Sequence, residues 1–155
     1  MSSPAVVNEA AEALAERCAA AMWKDDSASQ GLGMDLVEVG PGRARLEMAV
    51  TKAMLNGHGT CHGGFIFALA DSAFAFACNT HGERAVASGC SIAFLRPGKC
   101  GDRLAAVAQE RARAGRSGIY DVQVLDPAGS VVAEFRGHSR VIGSFEPAAE
   151  TKPGQ

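Results

Sequence analysis

Between His62 and Asn79 the chain reads Gly-Gly-Phe-Ile-Phe-Ala-Leu-Ala-Asp-Ser-Ala-Phe-Ala-Phe-Ala-Cys, and no other segment constrains the fold as tightly. It is longer than a typical strand of about 5–6 residues and rich in the helix formers Ala and Leu. Residues 62–80 are therefore expected to be helical. Asn79-Thr80-His81-Gly82 closes the helix, with Gly82 suited to a left-handed cap and His81 near the negative end of the helix dipole. A helix that is apolar nearly all round must be covered on several sides. Its apolar run, Phe65 to Cys78 with Asp71 in the middle, falls short of the ~20 residues that cross a bilayer. The cover is therefore expected to come from the rest of the chain.

The flanking segments can supply it. Residues 5–24 read as an N-terminal helix, because Val6, Ala10, Leu14, Cys18 and Met22 recur at intervals of four. Asp25 to Gly31 is expected to break it. Met34 to Val39 and Arg43 to Val50 read as strands joined by the turn Val39-Gly40-Pro41-Gly42. In the second strand Ala44, Leu46, Met48 and Val50 alternate with Arg43, Arg45, Glu47 and Ala49, the pattern of a half-buried strand. After the helix come strand-like runs at Ala85 to Leu95, Leu104 to Arg113, Ser117 to Leu125 and Val131 to Ile142, separated by turn chemistry such as Asp126-Pro127-Ala128-Gly129. Glu146 to Gln155 reads as a loose tail. Two strands, one buried helix and about four further antiparallel strands make an α+β chain. A curved antiparallel sheet wrapped around the central helix, the hotdog arrangement, covers that helix best. At 155 residues one domain, 1–155, is expected.

Composition excludes several classes of function. Lys+Arg 15 against Asp+Glu 17 gives a net charge of −2, whereas a nucleic-acid partner calls for a basic excess. Aromatics are only 6%, too few for a base-stacking platform. Glu9, Glu12, Glu16 and Arg17 lie where a signal peptide would have a basic start and an apolar run, so a cytoplasmic protein without membrane association is expected. The cysteines, Cys18, Cys61, Cys78, Cys90 and Cys100, are odd in number and irregularly spaced, and are expected to be reduced. His58-Gly59-Thr60-Cys61-His62 approaches a haem-attachment pattern but has His where the first Cys belongs. A structural zinc site wants four ligands, and no second pair accompanies these residues. No metal and no organic cofactor are expected.

Three groups of residues can carry chemistry. Asp71 is the only carboxylate between Ala53 and His81, and its helical neighbours Phe67, Ala68, Phe74 and Ala75 are all apolar. An aspartate is almost never fully buried unless paired, so one placed here is a candidate for chemistry. Gly63 and Gly64 begin the helix and leave backbone N–H groups approachable, where the helix dipole favours developing negative charge. Asn56, His58 and His62 lie in the loop just before, where an amide or imidazole can bind a carbonyl oxygen or orient a water. Each also has a plain structural reading, as a loop hydrogen bond, a tight turn or a local cap.

Met54-Leu55-Asn56-Gly57-His58, Cys61-His62-Gly63-Gly64, Leu69-Ala70-Asp71-Ser72-Ala73-Phe74, Ala77-Cys78-Asn79 and Phe94-Leu95-Arg96-Pro97-Gly98 together resemble the phenylacetate-degradation hotdog thioesterases of the PaaI type. The resemblance runs from about Gly33 to Gly143. It implies a hotdog fold, an acyl-CoA thioesterase acting on arylacetyl substrates, and a homotetramer built as a dimer of dimers. It further implies Asp71 as the catalytic carboxylate and Gly63 or Gly64 as the polarising backbone donor, with Asn56 and His62 beside the thioester. Many related thioesterases carry a Ser or Thr on the strand after the helix. The ungapped match puts Ala87 there, with Ser88 adjacent and expected on the other face.

Spacing adds a constraint of its own. Asp71 lies seven residues beyond Gly64, about 10 Å along a helix. A thioester carbonyl must lie about 3 Å from both the donor and the attacking group. If both act on one carbonyl, Asp71 must come from a neighbouring subunit, which puts the site at a homodimer interface. The CoA phosphates are expected to meet basic residues near strand ends, with Arg96, Arg116, Arg136 and Arg140 as candidates. The alternatives are a hotdog hydratase or dehydratase, using His62 with a partner's carboxylate, and a non-catalytic acyl-CoA-binding protein. The latter is expected to carry a separate DNA-binding segment, for which the first 30 residues give little room.

Overall fold

A computed structural model describes residues 8–145. The chain order is α1 (Glu9–Asp25), α2 (Ser27–Gly31), β1 (Asp35–Gly40), β2 (Arg43–Ala49), a 3-10 turn (Lys52–Met54), α3 (Gly63–Cys78), β3 (Glu83–Phe94), β4 (Arg103–Ala114), β5 (Ser117–Leu125) and β6 (Val131–Ser144). All six strands form one antiparallel sheet in the order β1-β2-β4-β5-β6-β3, and α3 packs on one face of it against every strand. The α+β reading and the hotdog architecture are borne out.

The alternation read in the second strand is what seats the helix. Ala44, Leu46 and Met48 of β2 point inward, as do Leu104, Ala106 and Ala108 of β4, Tyr120, Val122 and Val124 of β5, and Phe135 of β6. They meet Ile66, Leu69, Ala70, Ala73, Phe74 and Ala77 of α3. Each large side chain so buried contributes about 1.5–3 kcal/mol. Gly137 of β6 makes room for the Phe74 ring, since a Cβ there would lie 2.7 Å from three ring atoms. Gly82, at φ +76°, takes the left-handed turn after α3.

The helix ends are tighter than 62–80. His62 is the N-cap and Asn79 the C-cap. Asn79 also bonds the backbone of Ala85 in both directions, fixing the entry into β3. In α1 the buried residues are Ala15, Cys18 and Ala19, not the full four-residue series, because a strict interval of four drifts off a face that repeats every 3.6 residues. Residues 5–7 of the expected N-terminal helix and the tail 146–155 lie outside the described residues. The expected break at Asp25 to Gly31 is instead a cap followed by a short helix. Asp26 accepts from the Ser29 amide at 3.0 Å and from its hydroxyl at 2.6 Å, starting α2, and Ser29 in turn contacts Ser72 of α3 at 2.8 Å.

Among the described residues the sheet has two free edges, β1 and β3. The β3 edge is the unusual one. Of its residues only Ala85 is buried and Ile92 half-buried, and Val86, Phe94 and the adjoining Leu95 are 45%, 52% and 58% exposed.

Candidate active site

The site begins in the loop before α3. Asn56 folds residues 56–60 around its own side chain: its Oδ1 accepts from the amides of His58 at 2.9 Å and Thr60 at 3.2 Å. Backbone bonds from Cys61 to the Gly98 carbonyl and from His62 to the Met54 carbonyl, both 2.8 Å, then deliver the chain to the helix start. His62 Nδ1 accepts from the Gly64 amide at 2.9 Å. That bond separates the two candidate glycine donors: Gly64 is taken by the cap, while the Gly63 N–H has no acceptor among the described residues. Because Nδ1 accepts, the neutral His62 ring carries its proton on Nε2.

Gly63 and Asn56 line the same cavity, about 400 Å³, together with Thr60, Phe94 and Arg96. The Phe94 ring lies over the helix start, where a Cβ on Gly63 would come within 3.0 Å of its Cζ. A larger groove of about 570 Å³ runs between α1 and β1, lined by residues such as Trp23, Leu36 and Glu38. It touches none of the candidate catalytic residues.

Asp71 is elsewhere. It lies eight residues beyond Gly63 on the same helix, about 12 Å away along the axis. It sits on a stripe with Gly64, Ala68 and Ala75 that the sheet leaves half-buried or exposed. Its carboxylate makes no hydrogen bond or ion pair to any described residue, and burial pushes its pKa above the ordinary carboxylate value. The negative charge of Asp71 is felt at Cys90 on β3, whose thiol pKa is raised by burial first and by Asp71 second.

The four arginines are scattered. Arg96 sits at the cavity and is steadied by a 3.1 Å bond from Nη1 to the Val131 carbonyl. Arg136 is held by both oxygens of Asp121, at 2.7 and 2.9 Å. Arg140 lies on β6 opposite Val86 and Ser117, and Arg116 in the turn before β5. Ala87 and Ser88 fall at a bulge, where β3 slips register against β6, and the Ser88 hydroxyl is engaged with the His138 carbonyl at 3.1 Å. Cys18, Cys61, Cys78, Cys90 and Cys100 are free thiols. Among the described residues no three His, Cys, Asp or Glu side chains cluster as a metal site would require, and no helix is long and apolar enough to cross a membrane. Sequence reasoning missed Thr60 and Phe94 as site residues. Thr60 was legible in principle as the partner of an Asn four residues earlier, a local loop pattern, whereas Phe94 reaches the helix start only through the fold.

An apolar helix held against a six-stranded antiparallel sheet defines a hotdog-fold protein, and in this one an open amide and an amide side chain share a cavity at the helix start. Residues 58–133 match the family model of the thioesterase superfamily. The acyl-coenzyme A thioesterase PaaI of Escherichia coli K12 is 49% identical over 123 residues, covering 79% of this chain and 88% of that protein. The structure of the E. coli PaaI protein from the phenylacetic acid degradation operon superimposes with a TM-score of 0.85 at 46% identity, over 86% of this chain and 97% of that one. A Streptococcus mutans protein, smu.793, solved with bound acetyl CoA, superimposes with a TM-score of 0.71 at 28% identity, over 73% and 91% of the two chains. The chain belongs to the PaaI-type branch of the thioesterase superfamily, as its motifs imply.

Proposed function

We propose that the protein is a cytoplasmic acyl-CoA thioesterase that hydrolyses arylacetyl-CoA esters, of the phenylacetyl or hydroxyphenylacetyl type, to the acid and free CoA during phenylacetate degradation. The observation that carries this reading is the cavity in which the unpartnered Gly63 amide and the Asn56 side chain meet. Two donors there hold a thioester oxygen and strengthen their grip as it becomes an oxyanion. Water adds to the carbonyl, losing its proton to Asp71, or Asp71 attacks directly and water resolves the anhydride. In either course the C–S bond breaks and the sulfur leaves as the CoA thiolate and takes up a proton; the oxyanion collapses to the acid in the first course and to the anhydride, which water then cleaves, in the second. The chemistry draws on no cofactor.

The working unit in this reading is a homodimer with shared sites, paired again into a tetramer. Two features support it. One helix cannot bring Gly63 and Asp71 to one carbonyl. The other is β3, a long edge strand with charges only at its first residues, Glu83 and Arg84, and an exposed apolar end. Natural sheets guard such edges with charge, proline or cover, so β3 is suited to a second copy. Arg96 is the best placed of the four arginines to meet a CoA phosphate, and replacing Arg96, Arg116, Arg136 and Arg140 together by Gln is expected to raise KM.

Thiol release across phenylacetyl, hydroxyphenylacetyl, benzoyl and straight-chain CoA esters tests the activity. Hydrolysis frees CoA, hydration does not, and a binding protein does neither. Release from no ester refutes the reading. The shared site is tested by mixing an Asp71→Asn chain with one damaged at Gly63. One of the two interface sites in a mixed dimer is then intact, and activity is expected to recover toward half per dimer. A mixture that stays inactive while mixed dimers form removes the cross-subunit assignment.

A further inference from the structure

The geometry points to Thr60 as a positioning residue that aims the Asn56 amide at the thioester, an inference that rests on the activity proposed above. The Asn56 amide can be oriented from its bonds alone. The amides of His58 and Thr60 can only donate, and both reach one end of the side chain, at 2.9 and 3.2 Å. That end is the oxygen. The other end, Nδ2, is therefore the one left for the cavity, and its partner within the protein is the Thr60 hydroxyl at 3.2 Å. The same hydroxyl donates to Oδ1 at 3.3 Å while accepting from Nδ2, so it touches both ends of the amide.

An amide has two hydrogens on nitrogen. The Thr60 hydroxyl takes one and fixes the plane of the group, and the second is left for the substrate. Thr60 and Asn56 both line the cavity that contains Gly63. The loop itself is closed by backbone bonds, Asn56 N to Thr60 O at 2.8 Å and Gly59 N to Asn56 O at 3.0 Å, which do not involve the hydroxyl. Removing the hydroxyl should therefore leave the loop folded and free the amide to rotate. Small misplacements of a catalytic group lower turnover steeply while leaving most substrate contacts in place.

The test compares Thr60→Val, which keeps the shape and loses the hydroxyl, with Thr60→Ser, which restores it. Thr60→Val is expected to lower kcat by about tenfold or more with KM little changed, and Thr60→Ser to return kcat close to the parent value. In an Asn56→Ala background Thr60→Val is expected to have no further effect, since the two act as one unit. A second readout needs no turnover. The Asn56 side-chain NH₂ signals in a ¹H–¹⁵N spectrum, assigned by their loss in Asn56→Ala, should shift and sharpen together in Thr60→Val and not in Thr60→Ser. If Thr60→Val does not fold, Thr60→Ala carries the same comparison. Unchanged kcat, a full additional loss in the Asn56→Ala background, or unmoved NH₂ signals each overturn the assignment. If the parent protein cleaves no thioester, the proposed activity fails, and the NMR comparison still decides whether Thr60 holds Asn56.

Discussion

Replacing Gly63 by proline removes one atom that the proposed reaction needs and almost nothing else. Gly63 is the first residue of α3, with His62 as its N-cap. Proline is favoured at that position because its missing N–H has no intrahelical partner in any case. The residue before a proline is pushed toward extended backbone, and His62 is already there at φ −59°, ψ 133°. The Cβ that proline adds meets the Phe94 ring, 3.0 Å from its Cζ. Phe94 is 52% exposed in the single chain. No protein hydrogen bond is lost, because the Gly63 amide has no acceptor among the described residues, and the Gly64-to-His62 bond at 2.9 Å remains. Gly63→Pro is therefore expected to hold or raise stability, by up to about 1 kcal/mol through the unfolded chain. Loss of one oxyanion donor is worth about 2.7–4 kcal/mol in the transition state, or about 10²–10³ in kcat. Thiol-release kinetics and urea unfolding, run on the same preparation, should move in opposite directions. A Phe94→Leu control measures what displacing the ring does alone. If Gly63→Pro folds and keeps kcat within about threefold of the parent, far less than one donor contributes, the oxyanion role of this amide is wrong.

Asp71→Asn is expected to lower kcat by about a hundredfold or more and to raise stability at neutral pH. Burial lifts the folded-state pKa of Asp71 above its usual value, so the carboxylate weighs increasingly against folding as pH rises past that usual value and fully so above the raised one, and the amide has no such penalty. Urea unfolding of both proteins from pH 4 to 8 checks the sign, with the advantage of the variant vanishing at the acid end. At the far end of α3, Glu110 accepts from His81 Nε2 and Tyr120 OH, both at 2.8 Å, and from Arg113 Nε at 3.0 Å. Burial pushes its pKa up, but the Tyr120 and His81 bonds and the nearby positive charge outweigh it and hold the group below 4.5. Its stabilisation is thus present above that value and lost as pH falls through the lowered pKa. Glu110→Gln should lose about 1–2 kcal/mol at pH 7, with the gap to the parent closing under acid, in the same unfolding assay.

The sequence was most legible where one side chain meets one repeating surface. β5 falls at Ser117–Leu125 as read, and β2 within a residue of its expected end, because inward and outward residues alternate cleanly on a sheet with one buried face. β3 was found as a strand, but its sequence is nearly uniform in polarity on both faces, so nothing in it says that it lies at an edge. The small helix α2 was hidden because Asp26 and Ser29 read equally well as loop residues, and only the contact with Ser72 fixes their role. At the candidate site, Asp71 and the glycines stood out because each breaks a local rule of helix composition. The division of labour between Gly63 and Gly64 did not, since it depends on which way the His62 ring turns. Arg136 illustrates the opposite failure: a surface arginine suited to a phosphate is already gripped by Asp121, 15 residues away in sequence but directly opposite on the neighbouring strand.

The exposure along α3 ties these observations together. A helix this apolar is covered by the sheet on one side only, and Asp71 lies on the uncovered stripe. In a lone chain that leaves a half-buried carboxylate with nothing to balance its desolvation. In the proposed dimer the stripe faces a second copy, and the end of the partner's helix offsets part of that cost. The bare amide of a helix start carries partial positive charge, which lowers a carboxylate pKa where burial raises it. The two effects oppose each other, and a base that must be ionised near neutral pH gains from both: burial keeps water from weakening it as a proton acceptor, and the facing helix end keeps the proton off in the resting state. A carboxylate and an oxyanion donor that cannot meet within one helix are thereby each suited to the other's position on the opposing chain.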